Sequence, residues 1–64
     1  MNLLNYNNKK IVLNTKSGNT YEGMAYYCNA DEYETEEDEL TIKNKTDGKY
    51  YGFAESEIKS IEII

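Results

Sequence analysis

The groups in this chain that could do chemistry are seven tyrosines, seven lysines and one dense run of carboxylates; there is no histidine. Without imidazole, the usual general acid–base group near neutral pH is missing. Ser17, Ser56 and Ser60 have no neighbour in the sequence that would activate a hydroxyl. Cys28 reads as a small apolar side chain at a strand end rather than a nucleophile. We therefore read the chain as non-catalytic and expect no cofactor. The carboxylates Asp31, Glu32, Glu34, Glu36, Glu37, Asp38 and Glu39 supply oxygen ligands, but without the regular spacing or the internal glycine of a calcium loop, so no metal is expected. They better suit the docking of a basic protein partner, with Glu34, Glu36, Glu37 and Asp38 as the candidates, since clustered charge speeds association and filters partners.

The tyrosines offer a different use. Tyr26-Tyr27 and Tyr50-Tyr51 are adjacent pairs, and in a strand neighbouring side chains leave on opposite faces, so one member of each pair faces away from the core. Such a ring packs a subunit interface with its hydroxyl at a wet rim. It can also act as a stacking platform, where each nucleobase contributes about 1–3 kcal/mol. Asn29, Asn44 and Thr46 could hydrogen-bond a base edge, and Lys43, Lys45 or Lys49 could hold a phosphate. Tyr26, Tyr27, Asn29, Lys43, Asn44 and Tyr50 are thus the candidate ligand-binding set.

These groups must be positioned by short strands. Sixty-four residues make one domain, and a chain of this length buries only about 60% of its unfolded surface. A single cysteine cannot form an intrachain disulfide, which leaves self-association as the expected reinforcement. Residues 1–8 are an asparagine-rich arm in which Leu3, Leu4 and Tyr6 form a short helical turn, an extended arm or a frayed end. Residues 9–64 read as one all-β domain of five strands. Lys9 to Asn14 is the first, with Ile11 and Leu13 inward; Thr15-Lys16-Ser17-Gly18 is a turn in which Gly18 supplies positive φ. Asn19 to Asn29 is a long second strand with Tyr21, Gly23, Ala25 and Tyr27 on one face and Met24, Tyr26 and Cys28 on the other. A glycine inside a strand marks a bend or a close backbone approach, and Gly23 has that position. Leu40 to Lys43 and Lys49 to Ala54 flank an Asp47-Gly48 hairpin turn. Glu55 to Glu57 makes a 3₁₀ turn, and Ile58 to Ile64 closes the sheet with Ile58, Ile61 and one of Ile63 or Ile64 buried. Five strands at this length predict a small closed barrel.

The net charge of −5 is uneven. Residues 31–39 hold seven of the twelve acids and no lysine, so the remainder, with five acids against seven lysines, is net +2. The acidic segment 30–39, lacking a helical stripe, is expected to be a solvated loop or strand extension. The scattered lysines form no track for duplex DNA. No leader and no long apolar run stands out, so a cytoplasmic protein away from membranes is expected.

With strands and glycines placed, the chain resembles the Sm-like family of small SH3-type barrels. The first motif of that family is matched by Ile11-Val12-Leu13, then Gly18-Asn19-Thr20-Tyr21-Glu22-Gly23, then Asn29 or Asp31. In the second, Phe53, Ile58 and Ile61 have the expected spacing, while Ala54 and Glu55 stand in place of its Arg-Gly pair. The resemblance implies a five-stranded barrel, assembly into homo-oligomers through edge strands, and binding of RNA or nucleotides. The departure at Ala54-Glu55 argues against the family's usual single-stranded RNA binding. Three functions are carried forward: an oligomeric barrel that sequesters or senses a small nucleotide-type ligand, as would suit a phage or mobile-element anti-defence protein; an adaptor whose acidic loop docks a basic protein; and single-stranded RNA binding.

Overall fold

Ile11 and Leu13 alternate with less buried neighbours, and this period-two pattern builds the first strand, β1 (Lys10–Thr15). The structure, a computed structural model, describes residues Met1–Ile64. A 3₁₀ turn (Leu3–Tyr6) precedes β1. The long β2 (Thr20–Cys28) follows, then one turn of α-helix, α1 (Ala30–Tyr33). Next come β3 (Glu39–Asn44), β4 (Tyr50–Ala54), a second 3₁₀ turn (Glu55–Glu57) and β5 (Ile58–Ile63). The fold is all-β: one five-stranded antiparallel sheet in the order β4-β3-β2-β1-β5. No helix is long and apolar enough to cross a membrane.

One face of the sheet carries the core. Ile11, Leu13, Ala25, Leu40 and Ile42 are fully buried, joined by Phe53 from β4 and Ile58 from β5. The two edge strands therefore feed the same core, and the sheet curls around it. The short connection Glu55–Glu57 carries the chain from one edge to the other. No ladder joins β4 to β5, so the hydrogen-bonded sheet has two edges rather than the closed ring of bonds expected of a full barrel. The inward face predicted for the first strand, Ile11 and Leu13, is the one observed, and Tyr21, Tyr27 and Tyr51 pack half-buried against the core as their parity requires.

The sheet curls because β2 changes partner halfway. Its first half pairs with β1, from Thr20 to Met24, and its second half with β3, from Gly23 to Cys28. The changeover is at Gly23. A Cβ there would overlap the Lys43 carbonyl, so the backbones meet as closely as only glycine allows. Gly18, with φ +94°, makes the tight turn before β2.

Of the alternatives for the first residues, the short helical turn is the one observed: Leu3–Tyr6 form a 3₁₀ turn, Leu3 is buried in the core, the Asn8 N–H donates to the Ala25 carbonyl, and the Asn7 side chain accepts from the Tyr27 N–H. Two expectations need correction. Ile63 and Ile64 are both exposed, because β5 is an edge strand and β1 covers only one of its sides. The segment 30–39 is a loop only over residues 34–38, with Glu39 opening β3. Its first residues form α1, because the Asn29 side chain accepts from the Asp31 and Glu32 N–H groups and caps the turn.

Substituting Gly23 by alanine is expected to lower the unfolding free energy by about 3 kcal/mol, through overpacking against the Lys43 carbonyl. Gly18→Ala is expected to cost about 1 kcal/mol, since open space surrounds Gly18 and only its φ is unfavourable. Urea denaturation of the two variants measures the difference; equal losses would contradict the close-approach account.

Candidate functional site

The outward faces of the strands line up in rows across the sheet, because antiparallel register sets one residue of each strand opposite the next. In β1 and β2, Lys10 stands opposite Met24; in β2 and β3, Met24 opposite Lys43; in β3 and β4, Lys43 opposite Tyr50. The Ile64 N–H donates to the Lys10 carbonyl and extends this row past β5. Two cations, a methionine and an exposed tyrosine thus share one row. The bend at Gly23 hollows the sheet beside it into an open cleft of about 530 Å³. Lys10, Met24, Lys43 and Ile64 line it, with Asn44 and Lys45 at the start of the β3–β4 hairpin. Glu22 is its one acidic residue.

The hairpin beside the cleft is held in shape. Asp47 accepts from the Lys49 N–H at 2.9 Å and from the Tyr51 hydroxyl at 2.6 Å. These bonds hold the Asp47 carboxyl below its ordinary range, the tyrosine's contribution being the larger, and raise the Tyr51 hydroxyl above its own. A second hollow, of about 360 Å³, lies between Tyr21, Phe53 and the β1–β2 turn. Three of its polar residues bond to one another: the Thr15 and Ser17 hydroxyls share a hydrogen bond, and the Asn19 N–H donates to Thr15 Oγ1.

The ligand-binding candidates divide between two places. Lys43 and Asn44 line the cleft, and Tyr50 lies next to Lys43 in the row. Tyr26 is on the same outer face one row along, opposite Thr41. Tyr27 is on the core face instead. Its hydroxyl donates to Asp38 Oδ2 at 2.9 Å and accepts from Asn29 Nδ2 at 3.2 Å. The bond to Asp38 raises the Tyr27 hydroxyl above the usual tyrosine range. Asn29 is the cap of α1, so neither it nor Tyr27 meets the other four. Lys10, Met24, Glu22 and Ile64 were not in the predicted set. Strand parity places Lys10 and Met24 outward, but their adjacency depends on which strands pair and in what register.

The acidic candidates divide as well. The Asp38 carboxylate accepts from the Tyr27 hydroxyl and from the Ala30 N–H, tying α1 to the end of β2. The Glu37 carboxylate accepts from the Ser56 N–H at 2.8 Å and the Ser56 hydroxyl at 2.7 Å, which ties the segment to the second 3₁₀ turn. Glu34 and Glu36 are exposed, Glu34 in a left-handed conformation that ends α1. No group of three or more thiol or carboxylate side chains converges where a metal ion could be held. No protein-family model, curated protein or solved structure matches the chain.

The two hydrogen bonds from Ser56, the hydroxyl's first, hold the Glu37 carboxyl below its ordinary value of 4.5. A carboxyl depressed by folding adds stability that is fully present above its unfolded value and is lost as pH falls through the lower folded one. Acidification from pH 5 is therefore expected to release the Ser56 amide to faster hydrogen exchange as Glu37 protonates. In the Glu37→Gln variant that pH-dependent step should vanish; an unchanged step would assign the release to another group.

Proposed function

We propose that the chain is an Sm-like subunit that assembles with copies of itself and binds a small nucleotide-type anion without acting on it chemically. The observation that carries this reading is the outer-face row Lys10–Met24–Lys43–Tyr50 beside the cleft over Gly23. Lysine ammonium groups suit phosphate, an exposed tyrosine suits a base face, and Asn44 offers both donors and an acceptor to a base edge. The strand order and the bent, long β2 support the Sm-like likeness inferred from Gly18, Tyr21 and Gly23. Self-assembly is supported by the two edges of the sheet, each with a row of backbone groups that no ladder within the chain uses. Tyr50 lies on edge strand β4, so a neighbouring copy on that edge would enclose a ligand stacked there. Binding of this kind sequesters or senses its ligand.

The acidic-loop adaptor has less support, because the Glu37 and Asp38 carboxylates are already hydrogen-bonded within the chain.

Lys43→Gln and Tyr50→Ala are each expected to weaken binding of a fluorescent nucleotide about tenfold, by loss of a phosphate contact and of a stack. Glu36→Gln should leave it unchanged. Native mass spectrometry of the protein from its host lysate is expected to show a discrete oligomer with a few hundred daltons of retained mass per site. A bare monomer at tens of micromolar that binds no nucleotide would refute the reading.

A further inference from the structure

We infer that Glu22 sets the charge of ligand the cleft accepts, and that this ligand is a nucleotide carrying two negative charges rather than a polyphosphate. The inference rests on the nucleotide reading above and adds a specificity-determining residue to it.

Three successive rows of the outer face differ in character. One contains Glu62, Val12 and Glu22, paired across β5, β1 and β2. The next contains Lys10, Met24, Lys43 and Tyr50. The third contains Tyr26, Thr41 and Gly52, none of them charged, with the Glu39 carboxylate close to Gly52. Rows on one face are two residues apart along a strand, about 7 Å. That is about the span from a phosphate to the ring of its own nucleoside. A phosphate on the lysine row therefore lets its base lie over the neutral row, between Tyr26 and Tyr50. Gly52 leaves that floor open: a Cβ there would meet nothing closer than the Glu39 carboxylate at 3.8 Å and the Thr41 hydroxyl at 3.9 Å.

In the other direction the site is bordered by Glu22 and its partner Lys45. Glu22 makes the only ion pair in the chain, its Oε2 lying 3.2 Å from the Lys45 ammonium. The Glu22 carbonyl also accepts from the Lys45 N–H at 2.8 Å, so backbone and side chain hold the two residues together. The pair is exposed and so weak, but its two charges cancel in the cleft's net charge. The charges left for a ligand are Lys10 and Lys43, on either side of Met24, with backbones about 10 Å apart across two strand spacings. A phosphate chain growing away from the base would reach the Glu22–Lys45 pair, which offers it no net positive charge. Two cations beside a pair of no net charge match a dianion, whether it carries both charges on one terminal phosphate or one on each of two phosphodiesters.

Four probes test this by calorimetry on the full-length protein: a nucleoside, its 5′-monophosphate, a dinucleotide with two phosphodiesters, and the triphosphate. The wild type is expected to bind the two dianions more tightly than the nucleoside or the triphosphate, and the tighter of the two identifies the arrangement of charge. Glu22→Gln leaves Lys45 without its counter-charge, adds one net positive charge to the cleft, and should raise triphosphate affinity about fivefold while changing monophosphate affinity less. Lys45→Gln leaves Glu22 unneutralised and should weaken every phosphate-bearing probe by a similar factor. Thermal melts confirm that both variants are folded. A wild type that prefers the triphosphate, or a Glu22→Gln variant that shifts all phosphate probes equally, overturns the charge rule but leaves nucleotide binding standing. Failure of the wild type to bind any of the four overturns the nucleotide reading and this inference with it.

Discussion

The close approach of two backbones at Gly23 is the constraint on which the rest of the structure depends. Because no side chain separates them there, β2 can leave β1 and take up β3 within the span of Gly23 and Met24. That change of partner curls the sheet, so that Phe53 on one edge strand and Ile58 on the other share one core. The same bend opens the cleft on the convex side, beside the row of Lys10, Met24 and Lys43. Core and cleft are thus two faces of one backbone event.

The acidic segment shows how a charge-rich stretch gains structure without apolar burial. Self-repulsion disfavours order in residues 31–39, but four residues outside the segment supply fixed partners. Asn29 caps α1, the Tyr27 hydroxyl and Ala30 N–H take the Asp38 carboxylate, and Ser56 takes that of Glu37 with two bonds. Charge-assisted hydrogen bonds are among the stronger polar interactions, and these connect the segment to both β2 and the turn before β5. The carboxylates most enclosed by such bonds are structural, and those of Glu34 and Glu36 are left to solvent.

Adjacent tyrosines take opposite roles for the same geometric reason. Tyr27 and Tyr51 turn toward the core, and each donates its hydroxyl to an aspartate, Asp38 and Asp47. Tyr26 and Tyr50 turn outward, and Tyr50 is 62% exposed. The inward pair helps hold the two segments that frame the outer face, and the outward pair gives that face its aromatic character.

Much of this was legible in the sequence. The period of two in Ile11, Leu13, Leu40 and Ile42 determined which faces are buried, since each apolar side chain must share a side with the next but one. Gly18 and Gly23, in spacing and residue type, marked the turn and the bend, because a positive φ and an overlap at Cβ exclude most other residues. Tertiary structure decided what depends on partners distant in the chain. Whether Lys10 meets Lys43 depends on β1 and β3 lying on either side of β2 in a particular register, which no local pattern encodes. The fates of Glu37 and Asp38 turn on donors at Ser56, Tyr27 and Ala30, and the exposure of Ile63 on β5 being an edge. Alternation along a strand is a local consequence of backbone geometry; adjacency between strands exists only once the sheet has formed.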